Sequence, residues 1–278
     1  MGIFDGCLIV SDIDGTLLCD GKIPQKNLDA IEWFKSEGGI FSLATGRAVM
    51  AARYSYDLAR SKAPLMAIHG GIVYDYESEK MLYHCTLDDG VKDILFDILK
   101  RFKNIGAELF SGLKIYELRS NEGTRWHRDY EELVFSPVPE DLNSVPWSKI
   151  LFAIDTEQEV EQLKSYCEGL NVDICRFINT CNKENARYYE ILPKEVNKGT
   201  ALMEMKKLLK VKRTYGIGDF YNDIELIRDA DVGATVAGAP NELKELADYV
   251  TCPCEDGAVA DFINKIALEM KGSIVWRK

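Results

Sequence analysis

Short apolar runs alternate with amphipathic segments in the first third of the chain. The runs over 7–11, Ile40–Ala44 and Leu65–Ile68 are rich in aliphatic residues and end at polar or glycine residues, which predicts buried strands. Apolar positions recur at helical spacing over 25–37, and a second helix is predicted from Arg47 to about residue 60. Strands and helices that alternate in this way predict right-handed βαβ units around a parallel sheet.

The pattern changes over residues 84–192. An apolar stripe at helical spacing over 87–102 precedes short strand-like pieces such as 114–118, a polar basic segment over 119–129 and a helical pattern near 157–168. The stretch has no repeat period and no low-complexity tract. It is therefore predicted to be an inserted α+β module rather than more parallel sheet.

The α/β rhythm returns at Pro193. The predicted segments are strands over 214–218 and 231–235, and helices over 198–210, 221–230, from Pro240 and near 256–270. The predicted fold class is α/β, with a Rossmann-like, doubly wound parallel-sheet core. That core is expected to comprise residues 1–83 and 193–278, with the α+β domain 84–192 inserted.

The composition narrows the class of protein. The net charge of −11 argues against non-specific binding to nucleic acid or to an anionic membrane, and an anionic substrate would need a local cation to attract it. No apolar run approaches the roughly 20 residues of a membrane-spanning helix, and the N-terminus lacks the features of a signal peptide. We expect a cytoplasmic enzyme that is a monomer or a weak homo-oligomer.

The eight cysteines are spread along the chain without Cys-x-x-Cys spacing. Zinc fingers and a disulfide scaffold are therefore not expected, and reduced thiols in a cytosolic enzyme fit the pattern better. Cys252 and Cys254 form the one closely spaced pair, which is interpreted as incidental loop chemistry rather than a metal site.

Three predicted parallel strands end in polar residues with reactive side chains. These residues are Asp12 and Asp14, Thr45, and Asp219 and Asp223. In open α/β sheets ligands bind beyond the carboxyl ends of the strands, so these side chains are expected to meet in one crevice. Lys198, at the start of a predicted helix, is the natural cation for the same crevice.

Electrostatics implies a metal ion in this crevice. Two carboxylates about 4 Å apart repel each other by roughly 4 kcal/mol at an effective dielectric of about 20. Bringing Asp12, Asp219 and Asp223 together without a cation would therefore be strongly unfavourable. Because the motifs offer oxygen ligands and no Cys or His, Mg²⁺ is the predicted ion.

A carboxylate nucleophile, a second carboxyl group, a metal and phosphate donors together describe phosphoryl transfer through an aspartyl-phosphate. In this hypothesis Asp12 attacks phosphorus, and Asp14 protonates the leaving oxygen and later activates water. Mg²⁺ and Lys198 neutralise charge on the non-bridging oxygens. The hydroxyl of Thr45 and the amide of Gly46, predicted at a helix N-terminus, provide a seat for the phosphate.

Each of these sequence motifs, taken alone, also has a simpler structural interpretation. Thr45-Gly46 alone is typical of a helix cap, Lys198-Gly199 of a solvated lysine, and Gly218–Asp223 of a capped helix start. An EF-hand is excluded, because Leu17 and Ile23 stand where the loop needs Gly and Glu. The functional interpretation depends on all the pieces occurring together, each at a strand end or a helix start.

The chain resembles the haloacid dehalogenase superfamily of phosphatases in four motifs, Asp12-Ile13-Asp14-Gly15-Thr16, Thr45-Gly46-Arg47, Lys198-Gly199 and Gly218-Asp219-Phe220-Tyr221-Asn222-Asp223. Residues 17–44 are too few for a cap domain, whereas 46–197 house one easily. This arrangement resembles the Cof-like branch, whose α+β cap lies between the second and third motifs and is expected to choose the substrate.

The resemblance implies a role for each motif residue. Mg²⁺ would take the side chains of Asp12 and Asp219 and the backbone carbonyl of Asp14, with Asp223 holding a water of the metal. The phosphate contacts would come from Lys198, Asn222, and the motif of Thr45, Gly46 and Arg47. The chain departs from the branch at His69, at Gly238 and at the bulky pair Phe220-Tyr221. None of these departures removes a catalytic group; they affect the expected contacts with the substrate.

The expected function is Mg²⁺-dependent hydrolysis of a small phosphate monoester, a sugar phosphate or a phosphorylated cofactor. Candidate contacts to the leaving group in the cap are Arg125, Trp126, His127, Arg128, Arg187 and Tyr188. One alternative is a phosphomutase or other phosphotransferase that uses the same intermediate, and another is a non-catalytic phospholigand-binding protein. A dehalogenase ranks low, because it would not need Asp14 or the metal cluster.

Overall fold

The apolar runs near the N-terminus form neighbouring strands, as their composition predicts. A computed structural model of the protein describes residues 2–169, 175–182, 186–273 and 276. The strands, in chain order, are β1 (Cys7–Asp12), β2 (Ile40–Ala44), β3 (Leu65–Ala67), β4 (Ile72–Asp75), β5 (Lys80–His84), β6 (Gly106–Ser111), β7 (Lys114–Arg119), β8 (Lys149–Ile154), β9 (Cys175–Asn182), β10 (Ala186–Pro193), β11 (Arg213–Gly218), β12 (Val232–Thr235) and β13 (Tyr249–Val250).

Helices connect most of these strands, and short 3₁₀ turns lie at several strand ends. The α-helices are α1 (Gln25–Ser36), α2 (Arg53–Leu58), α3 (Gly90–Arg101), α4 (Glu122–Glu131), α5 (Glu157–Gly169), α6 (Lys198–Leu209), α7 (Ile224–Asp229), α8 (Asn241–Leu246) and α9 (Ala258–Met270). None of the helices in the described residues is long and apolar enough to span a membrane.

The chain divides into two units, each with its own sheet. Met1–Tyr83 and Asn197–Lys278 form the first unit, and His84–Val196 forms the second. The sequence also predicted a role for each part of the chain: a catalytic core over 1–83 and 193–278, and a cap over 84–192. These roles stay predictions.

The first unit contains an eight-stranded sheet with the order β13-β12-β11-β1-β2-β3-β4-β5. Strand β1 is central and pairs in parallel with β11 and β2, and the parallel pairing continues from β2 to β3 and from β11 to β12. Strand β4 returns antiparallel to β3. The carboxyl ends of β1, β2 and β11 therefore lie at one edge of the sheet.

Helices cover both faces of this sheet, which is the doubly wound arrangement that the sequence predicts. On one face, Leu8 and Val10 of β1 pack in a buried cluster with Leu202 of α6. On the other face, Tyr215 of β11 contacts Phe262 of α9, with ring centroids 6.1 Å apart. Neighbouring residues of a strand point to opposite faces, which explains why both faces of β1 are apolar.

The second unit is built on a five-stranded antiparallel sheet with the order β7-β6-β8-β10-β9. One face packs against α3 and α5, with Leu95, Ile150 and Leu163 in the shared apolar cluster. The second unit thus contains both helices and an antiparallel sheet, which confirms the predicted α+β class of this part of the chain. Its strands β6, β8 and β10 carry most of the sheet, and the sequence pattern alone did not predict them.

Two predicted segments differ from the structure. The helix expected from Arg47 begins only at Arg53, because 49–52 form turns in which the amide of Ala52 donates to the carbonyl of Ala48 at 3.1 Å. The polar basic segment 119–129 contains helix α4. Its N-terminus is capped by Asn121, whose side chain accepts from the amide of Thr124 at 2.9 Å.

The expectation of reduced thiols is wrong for one pair. Cys19 and Cys254 form a disulfide with a Cα–Cα distance of 6.1 Å. The two residues are 235 positions apart, and the fold brings the loop after β1 close to the 3₁₀ turn at 254–256. Cys252 keeps a free thiol, so the closely spaced pair 252 and 254 is not bonded to itself.

Several side chains proposed to contact the leaving group also make contacts within the second unit. His127 is buried, and its Nδ1 lies 2.8 Å from Oε2 of Glu108, which is fully buried. The Tyr188 hydroxyl donates to the carbonyl of Gly123 at 3.2 Å, and Arg128 pairs with its neighbour Asp129. Their predicted contacts with a substrate stay predictions.

His127 gives this unit a pH-dependent stability. Burial alone would lower its pKa, but the hydrogen bonds that its ring donates to the carboxylates of Glu108 and Glu131 raise the pKa to about 9. A histidine pKa raised above its unfolded value of about 6.5 stabilises the fold fully below that value, and the contribution disappears as the pH rises through about 9.

We expect the free energy of unfolding to fall by on the order of 1–3 kcal/mol between pH 6.5 and 10 through this group. Urea unfolding at a series of pH values measures the slope, and His127→Gln should remove most of it. His84→Gln is the control, because burial lowers the pKa of His84. An unchanged pH profile in His127→Gln would contradict the assignment.

Candidate active site

The central strand of the parallel sheet positions the first functional carboxylate. Strand β1 ends at Asp12, and the neighbouring strand β11 ends at Gly218, directly before Asp219. Because the two strands are parallel and adjacent, their following residues emerge at the same edge of the sheet. Asp12 is 6% exposed, although it is an acidic residue.

Helix α6 places a lysine against this carboxylate. Asn197 caps the helix and accepts from the amide of Thr200 at 2.8 Å, which fixes Lys198 as the first helical residue. Lys198 is fully buried, and its Nζ donates to Oδ1 of Asp12 and, at 2.5 Å, to Oδ1 of Asp223. Burial would lower the pKa of Lys198, but these two carboxylates raise it, so the side chain is an ammonium.

Asp219 and Asp223 complete an acidic cluster with Asp12. Each of the three contributes a carboxylate oxygen, and these oxygens lie within 4.8 Å of one another. Oδ2 of Asp223 accepts from the amide of Asp219 at 3.1 Å, and Oδ1 of Asp219 accepts from the hydroxyl of Thr16 at 3.0 Å. The sequence therefore predicted correctly that side chains more than two hundred positions apart meet.

The cluster carries too much negative charge for the lysine to balance. Burial and the neighbouring Asp223 raise the pKa of Asp12 well above its usual range, although Lys198 opposes the shift. The same two causes raise the pKa of Asp219 to about 6. Three clustered carboxylates against one ammonium fit a hard cation with oxygen ligands.

Gly15 allows the loop after β1 to approach Asp219. Its φ is +83°, and a Cβ at this position would lie 2.4 Å from Oδ2 of Asp219. A side chain here would therefore strain the backbone and displace a carboxylate of the cluster.

We expect Gly15→Ala to reduce turnover by about 100-fold, because displacing Asp219 by an ångström disturbs the site. Gly21→Ala is the matched control, since Gly21 also has a positive φ of +74° but nothing lies within 4 Å of the Cβ that an alanine would add there. Both variants place an alanine at a positive φ and should lose stability in thermal unfolding, whereas only Gly15→Ala should lose activity. Equal activity of the two variants would contradict the role of the close approach.

Asp14 lies outside the acidic cluster and is held by an arginine. Its side chain is 50% exposed. Arg47 Nε and Nη2 donate to its two carboxylate oxygens at 2.9 and 2.7 Å. Such a bidentate pair fixes the orientation of the carboxylate. The sequence motif grouped Arg47 with the phosphate contacts and did not reveal this partnership.

The second motif forms a turn rather than a helix N-terminus. Thr45 is buried, and its hydroxyl accepts from the amide of Arg47 at 3.1 Å. Because α2 begins at Arg53, the prediction that the amide of Gly46 belongs to a helix N-terminus is wrong. The amide lies in a turn that follows β2, at the same sheet edge as Asp12.

His69 packs against this turn, which the sequence did not predict. A Cβ on Gly46 would lie 2.5 Å from the imidazole ring, and the amide of His69 donates to the carbonyl of Thr45 at 2.9 Å. In the sequence, His69 stood out only as a departure from the Cof-like branch.

The predicted phosphate contact Asn222 lies in the 3₁₀ turn Tyr221–Asp223, directly before a residue of the acidic cluster.

Comparisons with known proteins decide the family. A family model described as haloacid dehalogenase-like hydrolase matches residues 9–263 of the chain. The chain belongs to this family. The predicted superfamily resemblance is thus confirmed, together with the class of enzyme, a hydrolase of the phosphatase type.

Relatives of this haloacid dehalogenase-like hydrolase match it over most of their length. The 5-amino-6-(5-phospho-D-ribitylamino)uracil phosphatase YitU of Bacillus subtilis is 23% identical, over 93% of this chain and 96% of the relative. The phosphatase YwpJ of the same organism is 25% identical, over 93% of this chain and 99% of the relative.

Solved structures support the predicted fold. A haloacid dehalogenase-like hydrolase from Bacteroides thetaiotaomicron superposes with a TM-score of 0.80 at 22% identity, covering 95% of this chain and 99% of that one. The subclass IIB sugar phosphatase BT4131 gives a TM-score of 0.75 at 21% identity, covering 96% and 99%. The fold class is therefore confirmed as that of the family.

Proposed function

We propose that this haloacid dehalogenase-like hydrolase cleaves small phosphate monoesters through an aspartyl-phosphate on Asp12. The observation that carries the proposal is the buried Asp12 carboxylate at the end of the central strand, bound by Lys198 and facing Asp219 and Asp223. A buried carboxylate held by a fixed ammonium is a preorganised nucleophile, because it does not need to shed a water shell before it attacks.

The charge of the cluster supports Mg²⁺ as the cofactor. Mg²⁺ would be held by the side chains of Asp12 and Asp219 and by the backbone carbonyl of Asp14, with Asp223 holding a water of the metal. Oxygen ligands and a net negative charge suit this hard cation. When bound, Mg²⁺ supplies positive charge that offsets the charge on the phosphoryl oxygens.

In the first step, an oxygen of Asp12 forms a bond to phosphorus while the bond from phosphorus to the leaving oxygen breaks. Asp14 donates its proton to that leaving oxygen, so the alcohol departs neutral. Lys198 stays charged and contacts the phosphoryl group, together with Asn222 and the Thr45-Gly46 turn.

In the second step, a water oxygen forms a bond to phosphorus and the bond to Asp12 breaks, which releases phosphate. Asp14 takes a proton from this water and so returns to its starting state. Arg47 supports the second step, since its two hydrogen bonds orient the Asp14 carboxylate that takes the proton.

The relatives support a phosphorylated polyol or sugar as the substrate. YitU is named for a substrate with a phosphorylated ribityl chain, and BT4131 is named a sugar phosphatase. We propose the same chemical class for this enzyme, with the leaving group recognised by the second unit, His84–Val196.

A screen of phosphorylated sugars, polyols and cofactors with Mg²⁺ tests the proposal. We expect phosphate release from a subset of them, with none after addition of EDTA. Running the reaction in ¹⁸O-water distinguishes a hydrolase from a phosphotransferase, because hydrolysis places one labelled oxygen in the released phosphate. Transfer of unlabelled phosphate to a second sugar would overturn the assignment as a hydrolase.

A further inference from the structure

The turn Ile68–Gly70, which follows β3 and is called the β3 turn below, has a strained backbone. The φ angles of Ile68, His69 and Gly70 are +51°, +53° and +95°. A positive φ suits glycine, but it is unfavourable for a β-branched residue such as isoleucine. Among the described residues, Ile68 is the one β-branched residue with a positive φ. Such strain persists only where the surrounding structure imposes it, and it clusters at functional sites.

Backbone hydrogen bonds join the β3 turn to the turn 45–47, called the β2 turn below because it follows β2. The amide of Ile68 donates to the carbonyl of Arg47 at 3.0 Å. The amide of His69 donates to the carbonyl of Thr45 at 2.9 Å. These two bonds fix the turns to each other and help to hold the β3 turn in its strained conformation.

The imidazole ring of His69 fills the space beside Gly46. His69 is 3% exposed, and a Cβ added to Gly46 would lie 2.5 Å from Cε1 and 2.6 Å from Nε2 of the ring. The φ of Gly46 lies outside the positive region, so the backbone at this position would accept a side chain. The ring, rather than the backbone conformation, therefore excludes a side chain at Gly46.

The β3 turn also contacts the start of helix α6. A Cβ on Gly70 would lie 2.4 Å from the carbonyl oxygen of Asn197 and 2.8 Å from Cβ of Ala201. Asn197 caps this helix and directly precedes Lys198. One buried turn of three residues thus touches both the β2 turn and the helix start that carries the buried ammonium.

We propose that His69 is a positioning residue of the active site. Together with the rest of the β3 turn, it holds the Gly46 amide and the Thr45 hydroxyl in a fixed position relative to Lys198. The inference rests on the proposed function, in which these groups contact the phosphoryl group. Donors lower the barrier when they are held where charge develops, and a shift of about 1 Å can cost about 100-fold in rate. The ring limits such a shift, because the β2 turn packs directly on it.

His69→Asn tests this role, because asparagine also tolerates a positive φ but lacks the two ring atoms closest to Gly46. We expect kcat/KM to fall by about tenfold to 100-fold. The factor should be the same for an aryl phosphate and a sugar phosphate, since the leaving group is not involved. Binding of orthovanadate with Mg²⁺, measured by calorimetry, should weaken by a similar factor. His69→Ala also removes the ring and carries the same prediction.

The contact between the ring and Gly46 predicts a rescue. Gly46→Ala should lower kcat/KM by about 100-fold, because the added methyl group meets the ring of His69. In the double variant His69→Asn/Gly46→Ala the methyl group has room, so we expect a recovery of about tenfold or more over Gly46→Ala alone. Two independent losses of stability would instead add, and they would give no recovery.

Phe4→Leu is the control for general destabilisation. Phe4 is fully buried in the same unit and precedes β1, so it lies at the sheet edge opposite Asp12. We expect a lower unfolding temperature and unchanged kinetic constants at a temperature where the variant is folded. Three results would overturn the inference: wild-type kcat/KM and vanadate affinity in folded His69→Asn, no recovery in the double variant, or an equal kinetic loss in Phe4→Leu.

These results are distinct from a failure of the proposed function. If the wild type bound vanadate with Mg²⁺ but released no phosphate from any ester, hydrolysis would be refuted, and weaker vanadate binding by His69→Asn would still support the positioning role. If the wild type hydrolysed esters and both single His69 variants matched it, the positioning role alone would be refuted.

Discussion

Asp12→Asn is expected to reduce turnover by about 10⁴-fold or more, because an amide oxygen cannot act as the nucleophile and no other group replaces it. The substitution keeps the shape of the side chain, and Lys198 keeps its bond to Asp223. The variant should therefore fold normally. Steady-state phosphate release with Mg²⁺ measures the activity, and circular dichroism with thermal unfolding checks the fold.

Asp20→Asn is the matched control for this variant. Asp20 is exposed and lies in the loop that follows the same strand, so its substitution removes an equal charge without entering the cluster. Wild-type activity is expected. If Asp12→Asn kept more than a trace of activity while folded, the nucleophile would have to be another residue.

Lys198→Met is expected to cost both stability and activity. It leaves the buried carboxylates of Asp12 and Asp223 without their ammonium partner, and breaking a buried ion pair typically costs about 3–5 kcal/mol. Turnover should fall by about 10²–10³-fold, since a fixed charge that stabilises the phosphoryl oxygens is lost. Urea unfolding in EDTA measures the first effect, and phosphate release measures the second.

Lys207→Met is the control for Lys198→Met, because it removes the same charge from an exposed position. Lys207 lies on the same helix, and its exposed ion pair with Glu204 contributes at most about 1 kcal/mol. Its substitution should change neither quantity appreciably. Similar losses in the two variants would mean that helix α6, rather than the buried ammonium, is responsible.

The sequence predicted the sheet of the first unit well, because its strands are continuous apolar runs. Ile40–Ala44 coincides with strand β2, and the run at 7–11 corresponds to β1, which extends one residue further to Asp12. Such runs are typical of strands buried on both faces. The acidic cluster followed from the same reasoning, since residues at the ends of adjacent parallel strands meet at one edge.

The remaining features depend on tertiary contacts that spacing does not reveal. The pairing of Arg47 with Asp14 requires two loops to meet, and the disulfide joins residues 235 positions apart. Helix α4 was missed because most of its residues are polar, so the apolar stripe is short. The pattern Asn121-x-x-Thr124 was the one local signal of its start, and it resembles a capping box.

A crystal structure with magnesium and beryllium fluoride tests most directly whether Asp12 carries the phosphoryl group. Beryllium fluoride bonds to a carboxylate oxygen and mimics an attached phosphoryl group. We expect beryllium on an oxygen of Asp12, the metal on Asp12 and Asp219, and Lys198 in contact with a fluorine. Beryllium on another residue, or an ion-loaded site in which Asp12 bears no ligand, would contradict the mechanism.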